Sequence, residues 1–282
     1  MVEELQIRVH GTPDQRTLVY LPGIHGDWTL VSSFRAALAG RVRFVEFTYP
    51  RSLTWSLDEY AAAIEDALLA NELKQGWVLG ESFGSQVAWP FVARNATSIS
   101  GPHERAVINP AVARAKTCEC ESERFQIKGL ILAGGFVRYP VRWGLLLARR
   151  FCRGVSLTWL TRLLSFYAKY AKFRHRHAPE TLASIAEFIE RRTELDRQAA
   201  AHRLSLIHQY DPSAIARQTR LPVYSLSGFF DPIVPWWQVR PWLRRNCPGY
   251  HGGKTILRAD HNVLGTAPQI AADQVAKWIA VK

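Results

Sequence analysis

Short apolar runs alternate with segments of helical spacing along most of this chain. Segments with the pattern of strands lie at residues 17–21, 42–47, 76–79, 127–135, 221–228 and 254–257. Apolar residues three and four positions apart predict helices at 29–39, from Ser56 through Leu68, and at 83–93, 236–245 and 268–281. Strands that alternate with helices of this length predict a mostly parallel, twisted sheet flanked by helices.

Two segments interrupt this alternation. Residues 94–125 are polar, contain glycine and proline, and have no strong periodicity, which predicts an insertion at the surface. From Trp143 to about His208 the pattern is helical throughout, although it lies between two predicted strands of the same sheet. We therefore predict an α/β core in two parts, residues 1–135 and 216–282, with an inserted helical cap at 136–215.

The stretch GESFG, residues 80–84, places Ser82 between two glycines where an apolar strand gives way to a helix. This is the G-x-S-x-G pattern of a nucleophile elbow. In such an elbow the serine holds a strained backbone conformation, and glycine on either side leaves room for a sharp turn. A glycine-rich turn with an incidental serine is the alternative. The strand before the motif and the helix after it favour a nucleophile.

A nucleophilic serine needs a base to accept its proton, and the base needs a carboxylate to hold its tautomer. Asp231 and His261 each follow a predicted strand, so both should project from the same edge of the sheet as Ser82. The order serine, acid, histidine is the one that elbow folds use. Asp260 is a rival acid, but it adjoins His261 in sequence, so its side chain should point elsewhere.

The motifs GESFG, GFFDPIVP and DHNV resemble, in order and spacing, the elbow, acid loop and histidine loop of the α/β-hydrolase family. The resemblance is to members of the α/β-hydrolase-1 type with a helical cap, and it covers essentially the whole chain. It implies that Ser82 is the nucleophile, His261 the general base and then acid, and Asp231 the orienting carboxylate. Members that open epoxides or cleave carbon–halogen bonds carry aspartate at the elbow, so serine here implies acyl transfer to water, without a metal or organic cofactor.

The resemblance also implies an oxyanion hole made of two backbone N–H groups. One belongs to Phe83, the residue after the nucleophile. The other comes from the loop LPGIHGDW, in which Pro-Gly stands where the family has His-Gly. Ile24 follows that glycine close to the end of the strand and is the preferred donor. Aligning the later His-Gly pair with the family instead would give Asp27.

The chain has 282 residues and a formal net charge of +12, which is unevenly distributed. Between Glu123 and Glu180 there are twelve lysines and arginines and no acidic residue. This run is compatible with a solvated face, with docking to an acidic acyl carrier or a coenzyme A tail, and with attachment to anionic lipid. Nucleic acid is not expected as a partner, because no nucleic-acid motif accompanies the charge.

The predicted function is therefore hydrolysis of a small-molecule acyl ester by a serine carboxylesterase. Three alternatives remain open: a thioesterase or acyl-carrier-linked ester hydrolase that docks through the basic cap, a carbon–carbon bond hydrolase, and a binding module with a vestigial site. Trp28, Trp89 and Phe229 lie near the catalytic loops and are candidate pocket residues. The sequence contains neither a recognisable secretory signal nor an apolar run long enough to span a membrane, which favours a cytoplasmic protein.

Overall fold

The computed structural model describes residues 4–96, 124–140, 179–190 and 193–280, together with residues 150, 154 and 162. The predicted insertion at 94–125 therefore lies almost entirely outside the described residues. So do much of the predicted cap at 136–215 and most of its basic run. None of the helices among the described residues is long and apolar enough to cross a lipid bilayer.

One sheet of seven strands forms the centre of the described structure, in the order β1-β3-β2-β4-β5-β6-β7. Neighbouring strands run parallel, except that β1 pairs with β3 in the antiparallel direction. The strand bounds are β1 Gln6–His10, β2 Thr17–Leu21, β3 Arg43–Thr48, β4 Gln75–Glu81, β5 Gln126–Ala133, β6 Val223–Gly228 and β7 Tyr250–Ile256. The predicted mostly parallel sheet is confirmed.

Helices connect and cover these strands. Their bounds are α1 Ser32–Leu38, α2 Leu57–Ala70, α3 Phe83–Ala96, α4 Pro179–Glu190, α5 Glu194–Gln209, α6 Ser213–Gln218, α7 Trp236–Asn246, α8 Val263–Thr266 and α9 Pro268–Ala280, and a short 3₁₀ helix, Thr29–Val31, precedes α1. The predicted helix after Ser56 begins with a capping box, in which the Ser56 hydroxyl and the Glu59 carboxylate each accept the other residue's backbone N–H.

The alternation of side chains along each strand divides the core into two clusters, one on each face of the sheet. On β2, Val19 and Leu21 face the cluster to which α2 and α3 contribute. Leu18 and Tyr20, on the same strand, face the cluster to which α1 and α9 contribute. Because a hydrophobic cluster packs on each face of the sheet, the carboxyl ends of the strands are held rigidly, and so are the starts of the loops that leave them.

Two strands depart from the sequence prediction. The edge strand β1 was not predicted, because its residues are at most half-buried and its apolar alternation is short. Strand β7 begins at Tyr250, four residues before the predicted start at Lys254. Gly252 and Gly253 supply no apolar side chains, and the pairing of β6 with β7 shifts register near its beginning, so this part of the strand has no hydrophobic pattern.

Part of the predicted cap range packs directly on the core. Leu204 and Ile207, both on α5, belong to the cluster that includes α2 and α3. Asp196, near the start of α5, forms an ion pair with Arg51 in the loop after β3, with 2.6 Å between Nε and Oδ1. Helix α5 is therefore fixed against the same loops that surround the carboxyl edge of the sheet.

Candidate active site

Ser82 occupies a single-residue turn between the end of β4 and the start of α3. Its φ of +49° lies in the left-handed region, which residues other than glycine rarely adopt. The Ser82 N–H donates to the Ala133 carbonyl at 3.0 Å, and the Ser82 carbonyl accepts from the Ser85 N–H at 3.0 Å and the Ser85 hydroxyl at 2.6 Å. These bonds hold the strained turn and display the Ser82 side chain at the edge of the sheet.

The two glycines of the motif are required by close backbone approaches. A Cβ on Gly84 would lie 2.1 Å from the Leu21 carbonyl oxygen, at the end of the neighbouring strand β2. A Cβ on Gly80 would lie 2.8 Å from the Ser85 nitrogen, in the first turn of α3. Both distances are well below van der Waals contact, so the helix can approach the sheet this closely only without side chains at these positions.

Replacing Gly84 by alanine is expected to lower the free energy of unfolding by about 3 kcal/mol, because backbone atoms of β2 or α3 must move to admit the methyl group. Urea denaturation of the purified variant measures this loss. Gly40→Ala is the control: unlike Gly84, Gly40 has a positive φ, of +75°, and it has open space around it, so conformational strain of about 1 kcal/mol without a steric clash is expected. Equal losses in both variants would contradict the steric explanation.

The structure brings Ser82, His261 and Asp231 into one hydrogen-bonded chain. His261 Nε2 lies 2.9 Å from Ser82 Oγ, and His261 Nδ1 lies 2.9 Å from Asp231 Oδ2. With the Nδ1–H donated to the carboxylate, the lone pair on Nε2 is free to accept the proton of the serine hydroxyl. This is the arrangement in which an imidazole can act as a general base toward a hydroxyl.

The Asp231 carboxylate is buried and held through both oxygens. Oδ2 faces His261, while Oδ1 accepts hydrogen bonds from the backbone N–H groups of Ile233 and Val234, at 2.8 and 2.9 Å. The rival carboxylate, on Asp260, instead accepts the N–H of Asn262 at 3.1 Å. Of the two acids considered from the sequence, Asp231 is the one whose carboxylate contacts the imidazole.

His261 has a pKa above its ordinary value of 6.5. Burial acts most strongly and favours the neutral ring, but the hydrogen bond to Asp231 and the negative charges of Asp231, Glu81 and Asp260 together outweigh it. Glu81 is itself buried and accepts a hydrogen bond from the Tyr20 hydroxyl. Neither Glu81 nor Tyr20 was identified from the sequence as a candidate site residue. The available signal was the position of Glu81, an acidic residue at the end of an apolar strand, directly before Ser82.

The two candidate oxyanion donors belong to adjacent segments. Phe83 is the first residue of α3, so its N–H has no acceptor within the helix. Ile24 lies in the loop after β2, in a turn closed by a 3.0 Å hydrogen bond from the Gly26 N–H to the Gly23 carbonyl. This loop contacts the end of β4, since a Cβ on Gly23 would lie 3.6 Å from the Glu81 carbonyl oxygen.

The three candidate pocket residues lie in different environments. Trp89 is fully buried, and its indole N–H donates to the Phe136 carbonyl at 3.2 Å, so it has no surface left for a ligand. Trp28 packs on the cluster that includes α1, with the Arg8 guanidinium 4.0 Å from its ring centre. Phe229 is 44% exposed in the loop that carries Asp231. Of the three side chains, that of Phe229 is the most exposed.

Metal ligands are not clustered in the described part of the chain: no group of three or more histidine, cysteine, aspartate and glutamate side chains there could hold an ion.

Comparison with known proteins identifies the family to which this chain is similar. A family model described as the alpha/beta hydrolase family matches residues 9–278. Among solved structures, an enol-lactonase from Burkholderia xenovorans is 15% identical, with a TM-score of 0.73 over 98% of this chain and 96% of its own. A hydrolase from Pseudomonas aeruginosa is 14% identical, with a TM-score of 0.72 over 98% and 94%. An esterase from Thermogutta terrifontis is 18% identical, with a TM-score of 0.68 over 97% and 92%. Identities this low establish a common fold alone, and no curated protein sequence matches the chain significantly.

Proposed function

Because the chain belongs to the alpha/beta hydrolase family, we propose that it is a serine carboxylesterase that cleaves small-molecule acyl esters through an acyl-enzyme on Ser82. The observation that carries the proposal is the chain of two 2.9 Å contacts from Ser82 through His261 to Asp231. The strained elbow supports it, since such strain persists where an exposed nucleophile has to be held above a sheet.

In the first half of the reaction, Ser82 Oγ attacks the carbonyl carbon of the ester while His261 Nε2 takes the hydroxyl proton. The electron pair of the carbonyl moves to its oxygen, which becomes the oxyanion of a tetrahedral intermediate. When this intermediate collapses, the carbon–alkoxide bond breaks and His261 returns the proton to the departing alcohol. Asp231 stabilises the imidazolium between the two proton transfers.

In the second half, a water molecule takes the place of the alcohol. His261 removes a proton from the water as its oxygen attacks the acyl carbon, and a second tetrahedral intermediate forms. Its collapse breaks the bond to Ser82 Oγ, which recovers the proton from Nε2, and the carboxylic acid leaves. In both intermediates the N–H groups of Phe83 and Ile24 would stabilise the oxyanion, and Phe229 would contribute to the wall of the acyl pocket.

A chain-length series of p-nitrophenyl esters, with the matching acyl thioesters assayed in parallel both free and linked to an acyl carrier protein, tests this function. We expect faster turnover of oxygen esters than of thioesters and a maximum at one acyl length. Faster cleavage of carrier-linked thioesters, declining as ionic strength rises, would instead support docking through the basic run. Failure of every ester and thioester to react would reject the proposed function.

Replacing Glu81 by glutamine is expected to move the acidic limb of the kcat/KM profile to lower pH. The base must be neutral to accept a proton, so activity falls as the pH falls through the pKa of His261. Removing the Glu81 charge removes one of the influences that raise this pKa, while the glutamine oxygen can still accept the Tyr20 hydroxyl.

The pH profile of p-nitrophenyl ester hydrolysis measures the shift. Asp273→Asn is the matched control, since Asp273 is an exposed carboxylate that pairs with Arg41 on the surface. An unchanged limb in Glu81→Gln, or an equal shift in the control, would show that Glu81 does not act on His261.

A further inference from the structure

A buried arginine bridges two loops beside the candidate site. Arg203, on α5, is 2% exposed, and its Nη1 donates to the Ile24 carbonyl at 3.0 Å while its Nη2 donates to the Pro50 carbonyl at 3.1 Å. Its guanidinium carbon lies 5.6 Å from the centre of the Tyr49 ring. Burying a guanidinium is costly unless its N–H groups are satisfied. Here main-chain carbonyls of the two loops accept hydrogen bonds from Nη1 and Nη2, whereas Nε has no hydrogen-bond partner among the described residues.

Hydrogen bonds fix the peptide groups on both sides of Ile24, and Arg203 donates one of them. The Ile24 N–H shares a trans peptide unit with the Gly23 carbonyl, which accepts the Gly26 N–H at 3.0 Å. Carbonyl and N–H point in opposite directions across a trans peptide, so this bond directs the Ile24 N–H away from the turn. The Ile24 carbonyl belongs to the next peptide unit, and Arg203 holds that one.

The loop and the guanidinium are also fitted to each other by shape. A Cβ on Gly26 would lie 2.3 Å from Arg203 Nη1, so a side chain there would displace the guanidinium. The Gly26 carbonyl accepts the Tyr49 N–H at 2.7 Å, which ties the loop to the end of β3 on the same side. Arg203 thus fills the space that the glycine leaves and joins α5 to both loops.

We propose that Arg203 is a positioning residue for the oxyanion hole. It acts by fixing the loop that carries the Ile24 N–H, and it does not itself contact substrate. The inference rests on the proposed function, since it assumes that the Ile24 N–H stabilises an oxyanion formed at Ser82. Without the guanidinium, two buried carbonyls lose their donors, and the loop can relax away from the geometry that the oxyanion requires.

The test is Arg203→Met, which keeps much of the side-chain volume and removes both hydrogen bonds. Loss of one oxyanion donor costs about 10²–10³ in kcat. A donor that is misplaced but still present is expected to cost about 10–100-fold in kcat, with KM for a p-nitrophenyl ester changed by less than about 3-fold. The rate of covalent labelling of Ser82 by a p-nitrophenyl alkylphosphonate should fall by a similar factor, because that reaction also places negative charge on an oxygen in the hole.

The matched control is Arg51→Met. Arg51 adjoins Pro50 and pairs with Asp196, so this variant also loosens α5 from the loop after β3. A merely structural role for Arg203 predicts that both variants lose thermal stability and that both keep kcat. If Arg203→Met does not fold, Arg203→Lys can be measured, since a lysine can reach one of the two carbonyls; a fall in kcat of intermediate size is then expected.

Each outcome separates the inference from the proposed function. If the phosphonate does not label Ser82 in the wild type, the proposed function itself fails. If Ser82 is labelled and Arg203→Met, or Arg203→Lys in its place, keeps the wild-type kcat and labelling rate, only the positioning role of Arg203 is rejected. A rise in KM at unchanged kcat would reject it as well, because that pattern indicates lost ground-state binding.

Discussion

Replacing Ser82 by alanine is expected to lower kcat for ester hydrolysis by a factor of about 10⁴–10⁶. In the proposed mechanism Oγ forms the acyl bond, so without it the remaining groups can only orient a water molecule. The substitution keeps Cβ, and the backbone strain at φ +49° is the same in serine and alanine. The variant should therefore fold like the wild type, with a similar KM.

Steady-state hydrolysis of the best p-nitrophenyl ester, together with thermal unfolding, measures both expectations. Ser52→Ala is the control for replacing a serine, because Ser52 lies in the loop between β3 and α2, where its hydroxyl is hydrogen-bonded to residues of the same loop. A variant at Ser82 that retained more than about a tenth of the wild-type rate would place the nucleophile elsewhere. Loss of labelling by the phosphonate in Ser82→Ala, but not in Ser52→Ala, provides an independent check.

Local patterns in the sequence were enough to predict the parallel sheet and the elbow. Strands β2, β4 and β5 each contain a run of apolar residues that is buried on both faces, and such runs are easy to recognise. The elbow is contiguous, so its steric demands are visible in five residues. Asp231 and His261 could be proposed because each follows a strand, and the ends of parallel strands meet at one edge.

The sequence could not reveal groups whose importance depends on contacts between distant segments. Arg203 lies in a stretch of helical pattern among other charged residues, and its burial follows only from the packing of α5 on the loops after β2 and β3. Trp89 was proposed as a pocket residue because it lies near the predicted catalytic loops in the sequence. Its orientation into the core depends on the rotation of α3 against the sheet, which the local pattern leaves undetermined.

Replacing Asp231 by asparagine is expected to lower kcat by about 10⁴ while leaving the fold intact, an effect second only to that of Ser82→Ala. The surroundings dictate how an asparagine would be oriented. Two backbone N–H groups, of Ile233 and Val234, point at Oδ1, so the amide oxygen would occupy that position and the amide nitrogen would face His261. An N–H donor at this position stabilises the tautomer with the proton on Nε2, which cannot accept the proton of Ser82.

The pH dependence gives this variant a second signature. Asp231 contributes both a hydrogen bond and a charge to the raised pKa of His261, whereas burial favours the neutral ring. Without the carboxylate, the pKa should fall, so the acidic limb of the remaining activity should move to lower pH even though the rate is much smaller. Catalysis is lost because the neutral ring carries its proton on the wrong nitrogen.

Asp260→Asn is the matched control, since it makes the same chemical change at the adjacent carboxylate, which bonds to the Asn262 N–H. Its charge also raises the pKa of His261, so a shift of the acidic limb in the same direction is expected, but kcat should stay within about 10-fold of the wild type. Profiles of kcat and kcat/KM for both variants across the acidic limb separate the two roles. If Asp260→Asn were the inactive variant and Asp231→Asn the active one, the orienting carboxylate would be Asp260, and the observed contact between Asp231 and His261 would not be the one used in catalysis.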